Sequence, residues 1–255
     1  MKIEGKTVIV TGGASGLGEA VARRFISAGA NVVMIDLNEE RGTALADELG
    51  SRAAFIQTDI AAPEDVQKAI DFSKDKFGQI DIVVNCAGIS SGSKVAGKKG
   101  PHDLAYFKQV IDINLIGVFD VIRLAAFQML QNVPNDEGGR GVIINTSSIA
   151  AFDGQVGQAA YTASKAALAG MTLPLARDLA GDGIRVLTIC PGLFDTPMMA
   201  KLPEQVRVEL AKTVPFPPKL GDPDEFAMLV QQIVENPMLN GETIRLDGAI
   251  RMSAK

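Results

Sequence analysis

Three groups of residues in this sequence have types and spacings that suit chemistry. The first is the run Thr11-Gly12-Gly13-Ala14-Ser15-Gly16-Leu17-Gly18. Between a strand and a helix, Gly12 permits a tight turn, Gly16 lets the backbone approach a pyrophosphate, and Gly18 lets the helix pack on a sheet. The helix then turns free N–H groups and the positive end of its dipole toward the phosphates. The second is Asp36, eighteen residues after Gly18. A carboxylate there accepts hydrogen bonds from both hydroxyls of an adenosine ribose and repels a 2′-phosphate. Leu37 and Ser15 are uncharged and offer such a phosphate no cation, which points to NAD as the cofactor. The third is Tyr161 with Lys165, four residues apart and so on one face of a helix. Ser148 lies thirteen residues before Tyr161, and Asn114 lies farther upstream. A Tyr-x-x-x-Lys pair is common by chance. Behind a dinucleotide loop and the run Asn145-Thr146-Ser147-Ser148 it is far more specific.

The elements that must position these groups alternate. Residues 7–10 read as a strand, and 17–28 as a helix with Ala20, Val21, Phe25 and Ile26 repeating on one face. Further strands are expected at 31–35, 53–56, 82–84, 142–144, 185–190 and 242–246. Further helices are expected at 39–49, 63–77, 110–130, 159–179 and 224–235. Gly50 marks one helix end, and Pro63 and Gly78 bracket the next. The glycine run then joins strand to helix, and Asp36 ends the second strand. Asp59-Ile60 ends the third strand, where it can bracket an adenine. Asn85-Cys86-Ala87-Gly88 ends the fourth beside the same crevice. Several strands are apolar throughout, as strands covered on both faces must be. The βαβα order implies a parallel sheet. The expectation is one α/β domain over 1–255, a Rossmann-type doubly wound parallel sheet with helices on both faces. Three stretches are irregular: 90–103, 132–141, and the apolar, Pro-punctuated 193–220, read as a substrate lid.

Composition closes other routes. The 255 residues are 47% apolar and 22% charged, enough for a large core without metals or disulfides. No stretch approaches the apolar length of a membrane helix. The net charge of −5 argues against nucleic acid as a partner. One histidine and two cysteines nearly exclude a His/Cys metal cage, and a Ser-His-Asp triad would need His102. Cys86 and Cys190 sit in apolar runs and read as buried thiols. With no signal or presequence pattern at the start, the expected compartment is cytoplasmic, with a processed mitochondrial matrix form as the alternative.

Together Thr-Gly-x-x-x-Gly-x-Gly, Asn-x-Ala-Gly, Ser148 and Tyr161-x-x-x-Lys165 resemble, in order and over the whole length, the short-chain dehydrogenase/reductase family. Cys86 stands where that family usually has Asn, at a position that mainly packs. The resemblance implies that Tyr161 is the general acid/base. It implies that Lys165 lowers the Tyr161 pKa and holds the nicotinamide ribose, since an unperturbed tyrosine titrates near 10. It implies that Ser148 orients the carbonyl or hydroxyl and that Asn114 holds a water in a proton relay. Pro191-Gly192 with Phe194 and Thr196 resembles the segment that fixes the nicotinamide amide.

A narrower likeness exists. The runs Ala151–Tyr161, Pro191-Gly-Leu-Phe, Val214-Pro-Phe-Pro and Ile244–Met252 resemble the 3-hydroxyacyl-CoA dehydrogenase type 2 group, also known as type 10 17β-hydroxysteroid dehydrogenases. That likeness implies a homotetramer oxidising 3-hydroxyacyl-CoA with NAD, with hydroxysteroids or secondary alcohols as alternative substrates. Phe194, Pro197, Met198, Met199, Leu202, Val206 and Phe216 suit an adaptable apolar lid or a stripe packed on the core. Gln155 and Gln158 lie within reach of a substrate between Ser148 and Tyr161. Lys94, Lys98, Lys99 and His102 lie in the first insertion. Their charge suits coenzyme A phosphates or plain solvation. A non-catalytic scaffold is a third reading, against which the intact Asn114, Ser148, Tyr161 and Lys165 set argues.

Overall fold

The computed structural model describes residues 1–90, 92–98 and 100–254. The chain runs β1 (Thr7–Thr11), α1 (Gly16–Ser27), β2 (Asn31–Asp36), α2 (Glu39–Leu49), β3 (Ala53–Gln57), α3 (Pro63–Phe77) and β4 (Ile82–Asn85). A small ribbon of β5 (Ala96–Gly97) and β6 (Gly100–Pro101) follows, then α4 (Leu104–Ile111), a wider π turn (Asp112–Gly117) and α5 (Val118–Met129). The remainder is β7 (Gly141–Thr146), α6 (Ala159–Ala180), β8 (Ile184–Pro191), α7 (Glu204–Lys212), α8 (Pro223–Glu235) and β9 (Thr243–Leu246).

Seven strands form one parallel sheet in the order β3-β2-β1-β4-β7-β8-β9. Alternate side chains of each strand feed two separate cores. Val8, Val10, Val84 and Ile144 meet Val21, Phe25, Phe226 and Val230 of α1 and α8 on one face. Ile9, Val83, Ile143 and Val186 meet Val66, Ile70, Val121 and Leu168 of α3, α5 and α6 on the other. Both faces are therefore dry, which is why these strands carry no polar alternation. Each fully buried large side chain contributes roughly 1.5–3 kcal/mol relative to exposure. Phe25 and Phe226 are among the largest of them.

The expected fold is present, with these corrections. The stretches read as irregular hold the β5–β6 ribbon within 90–103 and the helix α7 within 193–220. The helix expected at 110–130 starts earlier, at Leu104, where the Asp103 carboxylate caps it by accepting from the Ala105 amide at 2.9 Å. It is then interrupted by the π turn, a feature that hydrophobic spacing does not register and that occurs often at functional sites. No helix among the described residues is long and apolar enough to cross a membrane.

Candidate active site

The strand order reverses between β1 and β4, because β2 and β3 lie to one side of β1 and β4, β7, β8 and β9 to the other. Segments leaving the C-terminal ends of β1, β2, β3, β4, β7 and β8 there enclose a cavity of about 690 Å³. That is where open α/β sheets bind ligands.

One end is built by the glycine run. Gly12 and Gly16 have φ of 63° and 54°, in the left-handed region. A Cβ on Gly12 would come within 2.9 Å of the Ala87 amide nitrogen, and one on Gly18 would overlap the Gly12 carbonyl. Ser15 is the N-cap of α1, yet its side chain makes no capping bond. The first-turn amides are thus left for an anion. Asp36 is pinned beside them: its two oxygens accept from the Ala14 amide at 3.2 Å and the Asn38 amide at 3.0 Å. Leu17, Leu37, Asp59 and Ile60 line the same end.

Ser148, Tyr161 and Lys165 line the other end. The Ser148 Oγ accepts from the Ala150 amide at 3.1 Å, which fixes the hydroxyl at the start of a short turn. Lys165 Nζ sits 5.8 Å from the centre of the Tyr161 ring and donates to the Thr146 carbonyl at 2.8 Å. Burial pushes the Lys165 pKa down to about 8. Burial also raises the Tyr161 pKa, against a smaller lowering by the Ser148 hydroxyl.

Asn114 is fully buried in the π turn and lies behind the cavity wall. Its Nδ2 donates to the Ile89 carbonyl at 2.8 Å and to Ser164 Oγ at 3.2 Å, while its Oδ1 accepts from the Ile89 amide at 2.8 Å. Ser164 Oγ in turn donates to the Tyr161 carbonyl at 2.8 Å. A Cβ on Gly88 would lie 3.1 Å from Asn114 Oδ1 and 3.3 Å from Lys165 Nζ, a tight fit that would press on both side chains.

Most of the remaining expected residues meet at the same cavity. Cys86, Ala87, Gly88, Pro191, Gly192, Phe194, Thr196, Gln155, Gln158, Met198 and Leu202 all line it. Asn85 does not. It is buried in the sheet and donates to Asn145 Oδ1 at 2.9 Å, so it is a strand-pairing residue. The Cys86 thiol is buried against Thr146 Oγ1, which donates to it at 3.5 Å, and burial pushes its pKa up to about 11. Both cysteines are free. The lid stripe divides. Met198, Met199 and Leu202 face the cavity, Phe194 packs edge-on to Phe226 in the core, and Phe216 is 79% exposed. Lys94 and Lys98 are exposed, and His102 Nδ1 lies 3.2 Å from the Ser93 carbonyl oxygen. Lys99 lies outside the described residues. Ile89, Ser90, Ile113, Leu210 and Met252 also line the cavity. The first three neighbour recognised positions, whereas Met252 arrives from the far end of the chain, in a run noted for its resemblance but not as a site.

Free helix amides, a pinned carboxylate and glycines that a Cβ would block fit a dinucleotide at one end. A buried phenol, hydroxyl and ammonium suit proton exchange with a substrate oxygen at the other. Residues 6–207 match the sequence pattern of the family described as short chain dehydrogenase. A human protein named 3-hydroxyacyl-CoA dehydrogenase type-2 is 57% identical over 252 residues, covering 98% of this chain and 97% of that one. The crystal structure of 3-hydroxyacyl-CoA dehydrogenase type-2 from Mycobacterium avium superposes with a TM-score of 0.94 at 42% identity, covering 98% of each chain. That of a 3-ketoacyl-(acyl-carrier-protein) reductase from Brucella melitensis complexed with NADH gives 0.88 at 29% identity, covering 98% of this chain and 100% of that one.

Proposed function

The chain belongs to the short-chain dehydrogenase/reductase family and is an oxidoreductase using a nicotinamide cofactor, and from that premise we propose that it interconverts 3-hydroxyacyl-CoA and 3-ketoacyl-CoA with NAD. The observation that carries this reading is one cavity holding Asp36 at one end and Ser148, Tyr161 and Lys165 at the other. The names of its relatives supply the acyl-CoA class.

When bound, the cofactor supplies the hydride acceptor or donor. Tyr161 Oη takes the proton of the 3-hydroxyl in oxidation and returns it in reduction, and Ser148 Oγ donates to the same oxygen. General acid–base transfer of this kind is worth roughly 10²–10⁴-fold. Lys165 places a cation beside the phenol. Asn114 acts through position, because its amide is engaged with Ile89 and Ser164 and so sets the floor of the cavity and the turn that carries Tyr161. Asp36 selects NAD through the ribose diol. The lid spans 193–220, with Met198 and Leu202 over the substrate and α7 contributing no buried residue. A homotetramer that covers the exposed Phe119 and Phe127 of α5 and Leu173 of α6 belongs to the same reading.

Initial rates on acetoacetyl-CoA with NADH and with NADPH test it. The expected result is turnover with a preference for NADH of at least about tenfold, since like charges brought together cost several kcal/mol and about 1.4 kcal/mol is already tenfold. Equal use of NADPH would overturn the role of Asp36. Turnover of hydroxysteroids or simple secondary alcohols but not of acetoacetyl-CoA would keep the mechanism and replace the substrate.

A further inference from the structure

Beyond β9 the chain folds back over the substrate end of the cavity. Gly248 and Ala249 have φ of 58° and 68°, and Ala249 is the one non-glycine with positive φ among the described residues. The turn they make sends the chain toward Ser148. Three walls are then joined. The Val156 amide donates to the Ala254 carbonyl at 3.0 Å, and Gln155 Nε2 donates to the Ser253 carbonyl at 3.1 Å. The Phe216 amide donates to the Gly248 carbonyl at 3.3 Å. Ile250 is buried with Ile149 and Val214, and Leu193 and Met252 pack on that cluster. Met252 itself lines the cavity, on the side of Ile149 and Leu193 and away from Asp36.

Arg251 ties this segment to itself, donating to Asp247 at 3.3 Å and to the Ile250 carbonyl at 2.7 Å, and Arg245 ties it to the neighbouring loop. Arg245 donates to Asp153 at 2.6 Å, to Asp247 at 2.7 Å and to the Ile250 carbonyl at 2.9 Å, and its guanidinium lies 5.3 Å from the centre of the Phe152 ring. Asp153 and Phe152 belong to the loop between Ser148 and Tyr161. Asp247 backs onto Gly192, whose Cβ would come within 2.9 Å of it. The fork of an arginine can make these three bonds at once, and a lysine cannot.

We propose that residues 247–254 form a fixed wall of the substrate end, that Met252 sets how long an acyl or alkyl chain the cavity admits, and that Arg245 is the positioning residue that clamps the wall. The substrate part of this inference rests on the oxidoreductase reading above. A flexible thioether closing a pocket is removed without a polar penalty by Met252→Ala and enlarged in a fixed shape by Met252→Phe.

The test runs purified wild type, M252A, M252F, R245M and R245K on 3-ketoacyl-CoA substrates of four to ten carbons with NADH. If the wild type turns over no acyl-CoA, secondary alcohols of the same lengths with NAD replace them, which separates failure of the substrate class from failure of the wall. M252A is expected to move the kcat/KM ratio of long over short chains upward by about tenfold, the scale of one or two methylenes in an apolar pocket. M252F is expected to move it down. These changes fall mainly in KM, with NADH affinity measured by fluorescence staying within about threefold of wild type. Hydrogen exchange gives a readout independent of turnover. R245M exposes the amides of 149–158 while those of β7 and β8 stay protected, and R245K restores part of that protection. An unchanged chain-length ratio in both Met252 variants overturns the specificity role. Unchanged exchange at 149–158 in R245M overturns the clamp.

Discussion

Lys165 illustrates how the site strains against the fold. It is buried, and its pKa falls to about 8 from an ordinary 10.5. A base whose folded value is lowered costs stability while it is charged in both states. The cost is therefore full below about pH 8 and is relieved as pH rises toward 10.5, where the unfolded chain holds more protons than the folded one. At neutral pH the penalty is on the order of 3 kcal/mol. Lys165→Met removes it but leaves the Thr146 carbonyl without its donor, which returns about 1–3 kcal/mol. The variant is expected to be inactive and at least as thermally stable as wild type at pH 7. Its relative stability should then decline steadily as the pH is raised from 8 to 10. A stability difference that stays constant across that range would show that Lys165 is not depressed. That Tyr161, Lys165 and the glycines meet at one cavity was legible in the sequence, because each placement depends on short spacing within one element or at one junction. The position of Asn114 behind the wall was not, because it depends on which residues of β4 and α6 surround it.

At the scale of elements, the π turn is the informative departure. A run of apolar residues fits a continuous helix and a helix with one widened turn equally well, so Asp112–Gly117 was not visible in the spacing. The turn sets Asn114 against Ile89, and it also brings Gly117 against the end of β3. A Cβ on Gly117 would overlap the Ile60 carbonyl, and Ile60 lines the dinucleotide end of the cavity. Gly117→Ala therefore meets backbone, not a yielding side chain. The expected cost is about 1–3 kcal/mol, typical of overpacking, measured as a lower urea midpoint with an unchanged slope. Because the helix must shift away from Ile60, a weaker NADH affinity should accompany the loss. Wild-type stability in G117A would mean that the turn has room and that Asn114 is placed by other contacts. The ends of α2 and α3 fall where the sequence reading put them, since Gly50, Pro63 and Gly78 mark them chemically, and α8 begins within a residue of its reading, at an Asp222 capping box. The start of α4 escaped because a Gly-rich insertion precedes it.

For the whole molecule, the sheet order decides what the local patterns could not. Strand identity was readable from apolar runs, but the reversal at β1 and β4 follows from long-range pairing, and it is this reversal that opens the cavity. The same architecture divides the chain into rigid and loose parts. β1, β4, β7 and most of β8 are buried throughout, whereas α7 buries no residue and Met198, Leu202 and Val206 are exposed. The lid is anchored at its far end by Val214 and Phe216, which meet Ile250 and the Gly248 carbonyl, and at its near end by two further posts. Phe194 bridges to Gly221, where a Cβ would strike its ring at 2.7 Å, and Arg207 donates to Asp195 at 2.6 Å. Between these posts few apolar contacts oppose local opening, so 196–213 should sample open states far more often than the sheet does. Amide exchange by mass spectrometry is expected to show this segment exchanging orders of magnitude faster than β1, β4, β7 and β8. NADH together with acetoacetyl-CoA should slow it selectively, because a ligand that binds only the closed form shifts the population toward that form. Slow exchange throughout 196–213 in the free protein would make the segment a packed part of the core. Fast exchange that ligands leave unchanged would make it a loop without a lid's role.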